Sequence, residues 1–283
     1  MPRYRGPLLT IASSGLLLAA RAAGAASVVA SFDLGRSTSE VLLGADGWNY
    51  HGQSYPWPGR LKERTLYCWD GDAFAPLQRY TGSLIKLVPT EWGPPTFEID
   101  GIKMLPTAQV SPYTDAQRKV ALVQPRGKQV LDTCGGLGYF AAWCLAEGAA
   151  HVRSFEKNAD VLWLREHNPW SPDTDDGEPL DLVHADVAQA IATLPDQSFD
   201  AALHDPPRFG IAGELYSQAF YDQLARVLRA QARLFHYTGT PNKKTSGRDV
   251  PAEVAKRLEK AGFNVERVLD GVFAVKGGRR ARR

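Results

Sequence analysis

The 283-residue chain has few cysteines, little net charge and no long apolar run. Cys68, Cys134 and Cys144 are an odd number of cysteines without metal-ligand spacing. They argue against a disulfide framework and favour a reducing compartment. The formal net charge of +2 is too small to indicate a polyanionic partner by itself. The N-terminal apolar stretch is too short to cross a bilayer. We therefore expect no metal site and no membrane-spanning segment.

A hydrophobic fraction of 44% and the length of the chain predict a globular protein with one large domain and one smaller domain. The first residues allow two interpretations. Arg3 and Arg5 before an apolar stretch imitate a secretory signal peptide, but Arg21 interrupts the region where cleavage would occur. We therefore expect a folded strand, helix and strand at residues 8–12, 15–23 and 27–32.

Residues 1–108 predict a small α+β domain with mainly antiparallel strands, a candidate for substrate recognition. Residues 39–43 and 48–53 are expected to pair across a turn, and residues 55–60, YPWPGR, to form a proline-broken loop. Aromatic side chains concentrated here either pack the core of this domain, which we favour, or stack on bases. They are Trp48, Tyr50, His51, Tyr55 and Trp57.

The rest of the chain is organised around residues 129–140, QVLDTCGGLGYF. A buried strand is expected to end at Asp132, followed by a turn with Gly136 and Gly138 and by an apolar helix over residues 139–146. Glycine lets the backbone approach a ligand closely, and the start of the helix offers unpaired N–H groups. This pattern is typical of a nucleotide-cofactor pocket.

Three further strands are expected to end in polar residues at the same edge of a sheet. A carboxylate at position 156, 20 residues after Gly136, can accept hydrogen bonds from ribose hydroxyls. Polar residues at several strand ends are what a crevice at the carboxyl ends of a doubly wound sheet requires. The expected strands are residues 151–155 with Glu156, residues 180–184 with Asp186, and residues 199–203 with Asp205.

The remaining periodicity predicts a fifth strand, an antiparallel hairpin around Asp270-Gly271, and several helices. An antiparallel hairpin that closes an otherwise parallel sheet predicts an α/β fold of mixed strand direction. The fifth strand is expected at residues 233–237 and the hairpin at residues 264–269 and 272–276. The helices are expected at residues 114–124, 160–167, 188–194, 216–230 and 250–261.

The order DTCGGLG, SFEKN, HADV and HDPPRF resembles class I S-adenosylmethionine-dependent methyltransferases over about residues 95–276. More narrowly, it resembles a group of predicted methyltransferases, known mainly from archaea with bacterial members, that carry a D-x-C-x-G-x-G turn and a DPPRF motif. The resemblance implies a Rossmann-like, doubly wound catalytic domain over residues 109–283, which ends in a basic tail. It also implies S-adenosyl-L-methionine as the cofactor and a cytoplasmic location.

The resemblance implies a role for each residue of the glycine turn. Gly136 and Gly138 leave room for the amino-acid portion of the cofactor, and Asp132 accepts from its ammonium group directly or through water. Cys134 stands where many relatives have their first glycine, a mild departure because cysteine is also small. No activating partner for the thiol is visible nearby in the sequence, so a nucleophilic role is disfavoured.

The resemblance implies further cofactor contacts outside the turn. Glu156 binds the ribose and Asp186 binds the adenine amine. Tyr113 and Thr114 begin the helix that precedes the first strand of the sheet, and they are implied to touch the methionine end of the cofactor.

The stretch HDPPRF supplies the candidate catalytic residues Asp205, Pro206, Pro207 and Arg208. Two prolines fix two φ angles, so the loop is stiff where the methyl acceptor must lie. In methyltransferases that act on planar amino groups, an aromatic residue follows Pro-Pro, whereas here Arg208 stands in that position. This argues against the amino groups of bases as methyl acceptors. The carbon or ring-nitrogen atoms of RNA bases are still possible acceptors. Asp205 is the candidate residue that binds the acceptor or removes its proton.

Other polar residues are expected near the same crevice. His204 and His236 at strand ends are either structural or proton-handling residues. Lys243 and Lys244 lie in a basic segment, residues 237–248, that is expected to overhang the crevice. This segment fits RNA or an anionic small molecule as acceptor, and it fits a solvated loop equally well. Nothing in the sequence reports the oligomeric state.

An alternative activity shares most of the cofactor site. Residues 214–228, ELYSQAFYDQLARVL, resemble the helix that follows the catalytic loop of spermidine synthases. Those enzymes have the same fold and transfer an aminopropyl group from decarboxylated S-adenosylmethionine to a small amine. Their polyamine pockets are acidic, whereas Arg208, Lys243 and Lys244 flank this site. Methyl transfer is therefore favoured.

Overall fold

The structure is a computed structural model that describes residue 4 and residues 6–174, 179–239 and 249–277. The chain divides into two compact units. Unit 1 comprises Met1–Thr114 and Trp163–Ser171, and unit 2 comprises Asp115–Leu162 and Pro172–Arg283. Among the described residues, none of the helices has the length and apolar character needed to cross a membrane.

Unit 1 contains three small antiparallel sheets and one complete helix. Its elements are β1 (Leu8–Leu9), α1 (Ile11–Ala22), β2 (Ser27–Ala30), β3 (Ser39–Leu43), β4 (Gly47–Tyr50), β5 (Gln53–Pro56), β6 (Tyr67–Trp69), β7 (Phe74–Pro76), β8 (Gln78–Tyr80), β9 (Leu84–Val88), β10 (Thr96–Ile99) and β11 (Ile102–Lys103). The sheet orders are β1-β6-β7, β2-β3-β4-β5 and β11-β10-β9-β8. The N-terminal strand, helix and strand expected from the sequence are therefore present.

The core of unit 1 is aromatic. Phe32, Trp48, Tyr50 and Tyr55 are all buried, and the rings of Phe32 and Trp48 lie 4.7 Å apart between centroids. Trp57 is half-buried and packs against the same cluster. The core interpretation of this aromatic group is thus confirmed for Trp48, Tyr50 and Tyr55.

Two predicted boundaries in unit 1 are wrong. Residues 11–12 begin helix α1 instead of ending strand β1, because the side chain of Thr10 caps the helix by accepting from the Ser13 backbone N–H (3.1 Å). Residues 48–53 are not one strand, since His51 and Gly52 take left-handed φ values of 49° and 82° and form a two-residue hairpin turn. Strand β5 consequently includes the start of the predicted proline-broken loop.

Unit 2 is built on a seven-stranded sheet of order β14-β13-β12-β15-β16-β18-β17. Strands β12 to β16 run parallel to one another, and β18 runs antiparallel to both of its neighbours, β16 and β17. The elements are α2 (Pro112–Val123), β12 (Gln129–Asp132), α3 (Tyr139–Ala146), β13 (His151–Glu156), α4 (Ala159–His167), β14 (Leu180–His184), α5 (Val187–Ala190), β15 (Phe199–His204), α6 (Gln218–Val227), β16 (Leu228–Tyr237), α7 (Val250–Lys260), β17 (Phe263–Val268) and β18 (Gly271–Lys276). Helices α2 and α4 contribute residues to both units.

The core of unit 2 explains why these segments form these elements. Central parallel strands carry runs of apolar residues because both faces of the sheet are covered. Helix α6 buries Phe220 and Leu224, and helix α7 buries Val254 and Leu258, each pair at i, i+4 spacing on one face. These residues belong to one buried cluster with Leu234 of the sheet.

Two predicted helices of unit 2 have the wrong extent. The helix expected over residues 216–230 ends at Val227, because Leu228 leaves the helix with an extended ψ of 141° and begins strand β16 directly. The helix expected over residues 188–194 is the four-residue helix α5 followed by a 3₁₀ turn, Ile191–Thr193.

The C-terminal hairpin occupies one side of the sheet as expected. Strand β18 lies between β16 and β17, and Gly271 at its start pairs with Tyr237 at the end of β16. The hairpin turn, which contains Asp270, therefore lies at the edge where the parallel strands end.

Candidate functional site

The glycine turn connects β12 to α3 in an extended series of backbone hydrogen bonds. The Gly135 N–H donates to the Phe155 carbonyl and the Gly138 N–H donates to the Gly135 carbonyl, both at 2.7 Å. Gly136 and Gly138 have φ values of 48° and 81°, in the left-handed region that favours glycine. Gly138 is the N-cap of α3 and offers no side chain to cap it. No side chain of Gly136 or Gly138 therefore covers the N-terminus of this helix.

Glu156 holds the turn from the end of the neighbouring strand. Its Oε2 accepts from the Gly136 backbone N–H at 3.0 Å, and its Oε1 accepts from the Asn158 backbone N–H at 2.8 Å. The side chain is half-buried. The two residues that the sequence placed 20 positions apart are therefore in direct contact, with a carboxylate at the tip of the strand next to the turn.

Three carboxylates create a negative potential around Cys134. Asp132 is fully buried, and its Oδ2 accepts from the Ser154 hydroxyl at 2.8 Å. Burial raises the pKa of the Cys134 thiol well above its ordinary value, and the charges of Glu156, Asp132 and Asp205 raise it further. A protonated thiol is a poor nucleophile, which agrees with a structural role for this small residue.

The other predicted cofactor residues lie at helix starts. Asp186 is the N-cap of α5, and its Oδ1 accepts from the Ala188 backbone N–H at 2.9 Å. Its Oδ2 lies 3.8 Å from Nζ of Lys157, the residue after Glu156. Tyr113 and Thr114 lie in the first turn of α2, at the end of the first segment of unit 1. Their contact with a cofactor stays a prediction.

The Asp-Pro-Pro-Arg loop leaves the sheet directly after β15. Asp205 is half-buried, Pro206 is buried and Arg208 is exposed. The carbonyl of Pro207 accepts from the Tyr216 hydroxyl at 3.1 Å. The loop that carries Asp205 is therefore stiffened by two prolines and tied to the turn before α6.

His204 and His236 are structural residues. Both are fully buried, and their rings meet edge to face with centroids 4.4 Å apart. In His204, Nε2 donates to the Leu215 carbonyl (3.0 Å) and Nδ1 accepts from the Thr133 hydroxyl (2.6 Å). In His236, Nδ1 bonds the Tyr237 carbonyl and Nε2 bonds a buried tyrosine hydroxyl. Burial lowers the pKa of His204 to about 4 and lowers that of His236 well below its ordinary value. Both rings are therefore neutral.

A buried lysine that the sequence did not single out lies beside Asp115, Asp270 and Tyr237. Lys119 of α2 is only 1% exposed, and its Nζ lies 2.7 Å from Oδ2 of Asp115 and 3.2 Å from Oδ2 of Asp270. The ammonium group also lies 4.8 Å from the ring centroid of Tyr237. Burial alone would lower the pKa of Lys119, but Asp205, Asp115 and Asp270 together raise it. The lysine is therefore charged.

The environment of Asp205 shifts its ionisation towards neutral pH. Burial raises the pKa of Asp205 to about 7. The positive charge of Lys119 lowers it, while the negative charges of Asp270, Asp115 and Asp132 raise it. A base whose pKa lies near neutral pH exists partly as carboxylate and binds a proton strongly once it receives one.

A lysine within an apolar helix face is the signal that would have identified Lys119. It lies among Ala116, Val120 and Val123, all buried, so its side chain had to point inwards. Asp270 could be identified from the sequence only as a turn residue. Its distance of 3.2 Å to Lys119 depends on the tertiary structure.

Comparisons with known proteins support the sequence resemblance at the level of fold. No protein-family model matches the chain. An uncharacterized protein of the archaeon Methanocaldococcus jannaschii, MJ1233, is 45% identical over 211 residues, which cover 73% of this chain and 72% of that protein.

Two solved structures have a similar fold over most of the chain. A spermidine synthase in complex with the transition-state analogue AdoDATO has a TM-score of 0.57 at 16% identity, and the alignment covers 75% of this chain and 76% of that chain. Spermidine synthase from Thermotoga maritima has a TM-score of 0.55 at 17% identity, covering 78% and 81%. The predicted Rossmann-like sheet with an antiparallel C-terminal hairpin, together with the small N-terminal α+β region, is confirmed.

Proposed function

We propose that this chain, which belongs to the same family as the uncharacterized protein MJ1233 of Methanocaldococcus jannaschii, is a methyltransferase that uses S-adenosylmethionine. One observation carries the proposal. The glycine turn bound by Glu156 and the half-buried base Asp205 lie at the same edge of one sheet, where cofactors of doubly wound folds bind. We further propose, on the resemblance of its Asp-Pro-Pro-Arg-Phe motif, that the chain belongs to the archaeal-type group of predicted methyltransferases.

The residues at the turn fit the proposed donor in shape and in charge. Gly136 and Gly138 leave the backbone of the turn accessible, because neither has a side chain. Asp132, Glu156 and Asp205 supply negative charge around Cys134. This complements a donor that has a positively charged sulfur and an ammonium group. Glu156 is assigned to the ribose, Asp186 to the adenine, and Tyr113 and Thr114 to the methionine end.

Asp205 is assigned the chemical step. S-adenosylmethionine, when bound, supplies a methyl group on a positively charged sulfur that is already activated for in-line displacement. The loop of Pro206 and Pro207 keeps Asp205 beside the acceptor atom. Asp205 would accept the proton that the acceptor atom loses when it is methylated. Arg208, exposed next to the base, is assigned to acceptor binding.

The sequence left the acceptor open between RNA and an anionic small molecule, and we propose RNA on the basis of Arg208, Lys243 and Lys244. The two lysines lie outside the described residues. The test is incubation of the purified full chain with methyl-labelled S-adenosylmethionine and separated RNA, protein and small-molecule pools. Label in RNA supports the proposed acceptor, and label in another pool reassigns it. The Asp205→Ala variant should lose label transfer and keep its affinity for the donor; parallel loss of both would make Asp205 a structural residue.

A second candidate is aminopropyl transfer from decarboxylated S-adenosylmethionine to a small amine. It is favoured by Asp115 and Asp270, which contact Lys119, together with Asp205, which interacts with the same lysine electrostatically, because several negative charges at one site attract a cationic acceptor. Both donors use the same glycine turn. Turnover with only the decarboxylated donor, in the presence of the small-molecule pool, would replace methyl transfer by this reaction.

A further inference from the structure

Three residues form a row along the edge of the sheet at the proposed site. Strands β15 and β16 pair in parallel through the residues that directly precede Asp205 and Tyr237. Strand β18 begins opposite Tyr237, directly after Asp270. Because neighbouring strands lie about 4.8 Å apart, Asp205 and Asp270 flank Tyr237 on its two sides.

Lys119 lies against the middle of this row. Its ammonium group contacts Asp270 at 3.2 Å and lies 4.8 Å from the Tyr237 ring centroid, and Asp115, one helical turn earlier on α2, contacts it at 2.7 Å. The side chain is 1% exposed, so water does not screen its charge as it would at the surface. A full positive charge is thus fixed beside the end of strand β16, the neighbour of β15.

We propose that Lys119 is a positioning residue that holds Asp205 in the charged form able to accept a proton. The inference rests on the proposed function, because it is there that Asp205 acts as the base. The lysine acts through Asp205 and is assigned no contact with donor or acceptor. The titratable groups that interact electrostatically with Asp205 are Lys119 and Asp115 from α2, Asp270 from the hairpin turn, Tyr237 from β16, Tyr216 from the turn before α6, Asp132 from β12 and Cys134 from the glycine turn.

The test uses two substitutions whose effects on Asp205 have opposite signs. Lys119→Gln removes the positive charge, so the pKa of Asp205 should rise by about 1 to 3 units. Asp270→Asn removes a negative charge, so that pKa should fall. Lys119→Arg keeps the charge and should leave it near the wild-type value. The readout is a ¹³C NMR titration of the full chain labelled at aspartate carboxyl carbons, with the Asp205 signal assigned by its absence in Asp205→Asn.

Opposite shifts of the Asp205 midpoint support the proposal, and an unchanged midpoint in Lys119→Gln overturns it. If Lys119→Gln does not fold, Lys119→Met, which also removes the charge, is titrated in its place. A raised Asp205 midpoint in Lys119→Met supports the proposal, and an unchanged midpoint overturns it.

The titration needs no donor or acceptor, so its outcome is separate from that of the proposed function. If the NMR midpoints shift as predicted but no label is transferred, the methyltransferase proposal is rejected and the effect of Lys119 on the charge of Asp205 is retained. If transfer is observed, the acid limb of its pH profile should move with the NMR midpoint in each variant. If Lys119 only joins α2 to the hairpin, its substitution would change the stability of the protein without moving the acid limb of the pH profile.

Discussion

Replacing Asp205 by asparagine should stabilise the folded chain at alkaline pH while abolishing transfer. The pKa of Asp205 is raised from 3.8 to about 7 in the folded state. A rise of about 3 units corresponds to about 4 kcal/mol, and because the carboxyl keeps some contact with water we expect about 2 to 4 kcal/mol. The native state keeps this proton between pH 3.8 and about 7 while the unfolded state loses it. Stability therefore falls as pH rises through this window.

The measurement is the difference in unfolding free energy between Asp205→Asn and wild type, from urea titrations between about pH 4 and about pH 8.5. The amide does not titrate, so the difference should be near zero at the acid end. It should grow towards about 2 to 4 kcal/mol in favour of the variant above pH 7. All other titrating groups are common to the two chains and largely cancel.

Asp200 provides a matched control of opposite sign. It accepts from the Gln129 backbone N–H at 2.9 Å and from Arg229 at 2.6 Å. Although burial opposes it, these hydrogen bonds lower the pKa of Asp200. Its stabilisation is present above the unfolded-state pKa and is lost on acidification, so Asp200→Asn should be less stable than wild type at neutral pH. Suppose that Asp200→Asn is destabilised at neutral pH as expected, but that the unfolding free energy of Asp205→Asn differs from wild type by the same amount at every pH. This result would refute the reasoning about the site.

Three further substitutions and one control substitution test the donor pocket and the loop. Gly138→Ala, at a left-handed φ of 81°, should cost about 1 kcal/mol and weaken donor binding by calorimetry, whereas Gly210→Ala, in open space, should change neither. Glu156→Gln should weaken S-adenosylmethionine binding at least about tenfold in the same assay, because a charge-assisted hydrogen bond to the turn and negative charge are lost. Equal affinity would remove Glu156 from the site. Tyr216→Phe releases the carbonyl of Pro207 and should lower kcat several-fold without changing donor affinity; a change in affinity alone would contradict its assignment to the loop.

The parallel strands were predicted well from the sequence, because the residue composition and the polar residue at the end of each strand indicate the same strand boundaries. Strand β14 has the predicted bounds, and β13 ends on Glu156 as expected, since each mixes apolar with polar residues and stops at a polar residue. The end of α6 was predicted wrongly because Leu228 continues the helical spacing of Phe220 and Leu224. No glycine or proline marks the change to a strand, and Leu228 is fully buried as the first residue of the strand.

The candidate site likewise contains residues that could be identified from the sequence and residues that could not. Gly136 and Asp205 could be identified because each follows a strand, and parallel strands bring their ends together. Lys119 and Asp270 lie 151 residues apart in the chain and meet through a helix and an antiparallel hairpin. Their meeting depends on how α2 packs against the sheet, which no local pattern specifies.

The neutral histidine pair has a consequence for interpreting kinetics. A rate that depends on an ionisation near pH 7 is ordinarily attributed to imidazole. His204 and His236 stay uncharged there, so such an ionisation next to β15 belongs to a carboxyl group. Carboxyl ionisation releases or absorbs very little heat, whereas imidazole ionisation absorbs much. The midpoint should accordingly stay fixed as the reaction is warmed, and a midpoint that drifts steadily downward would reveal a histidine in its place.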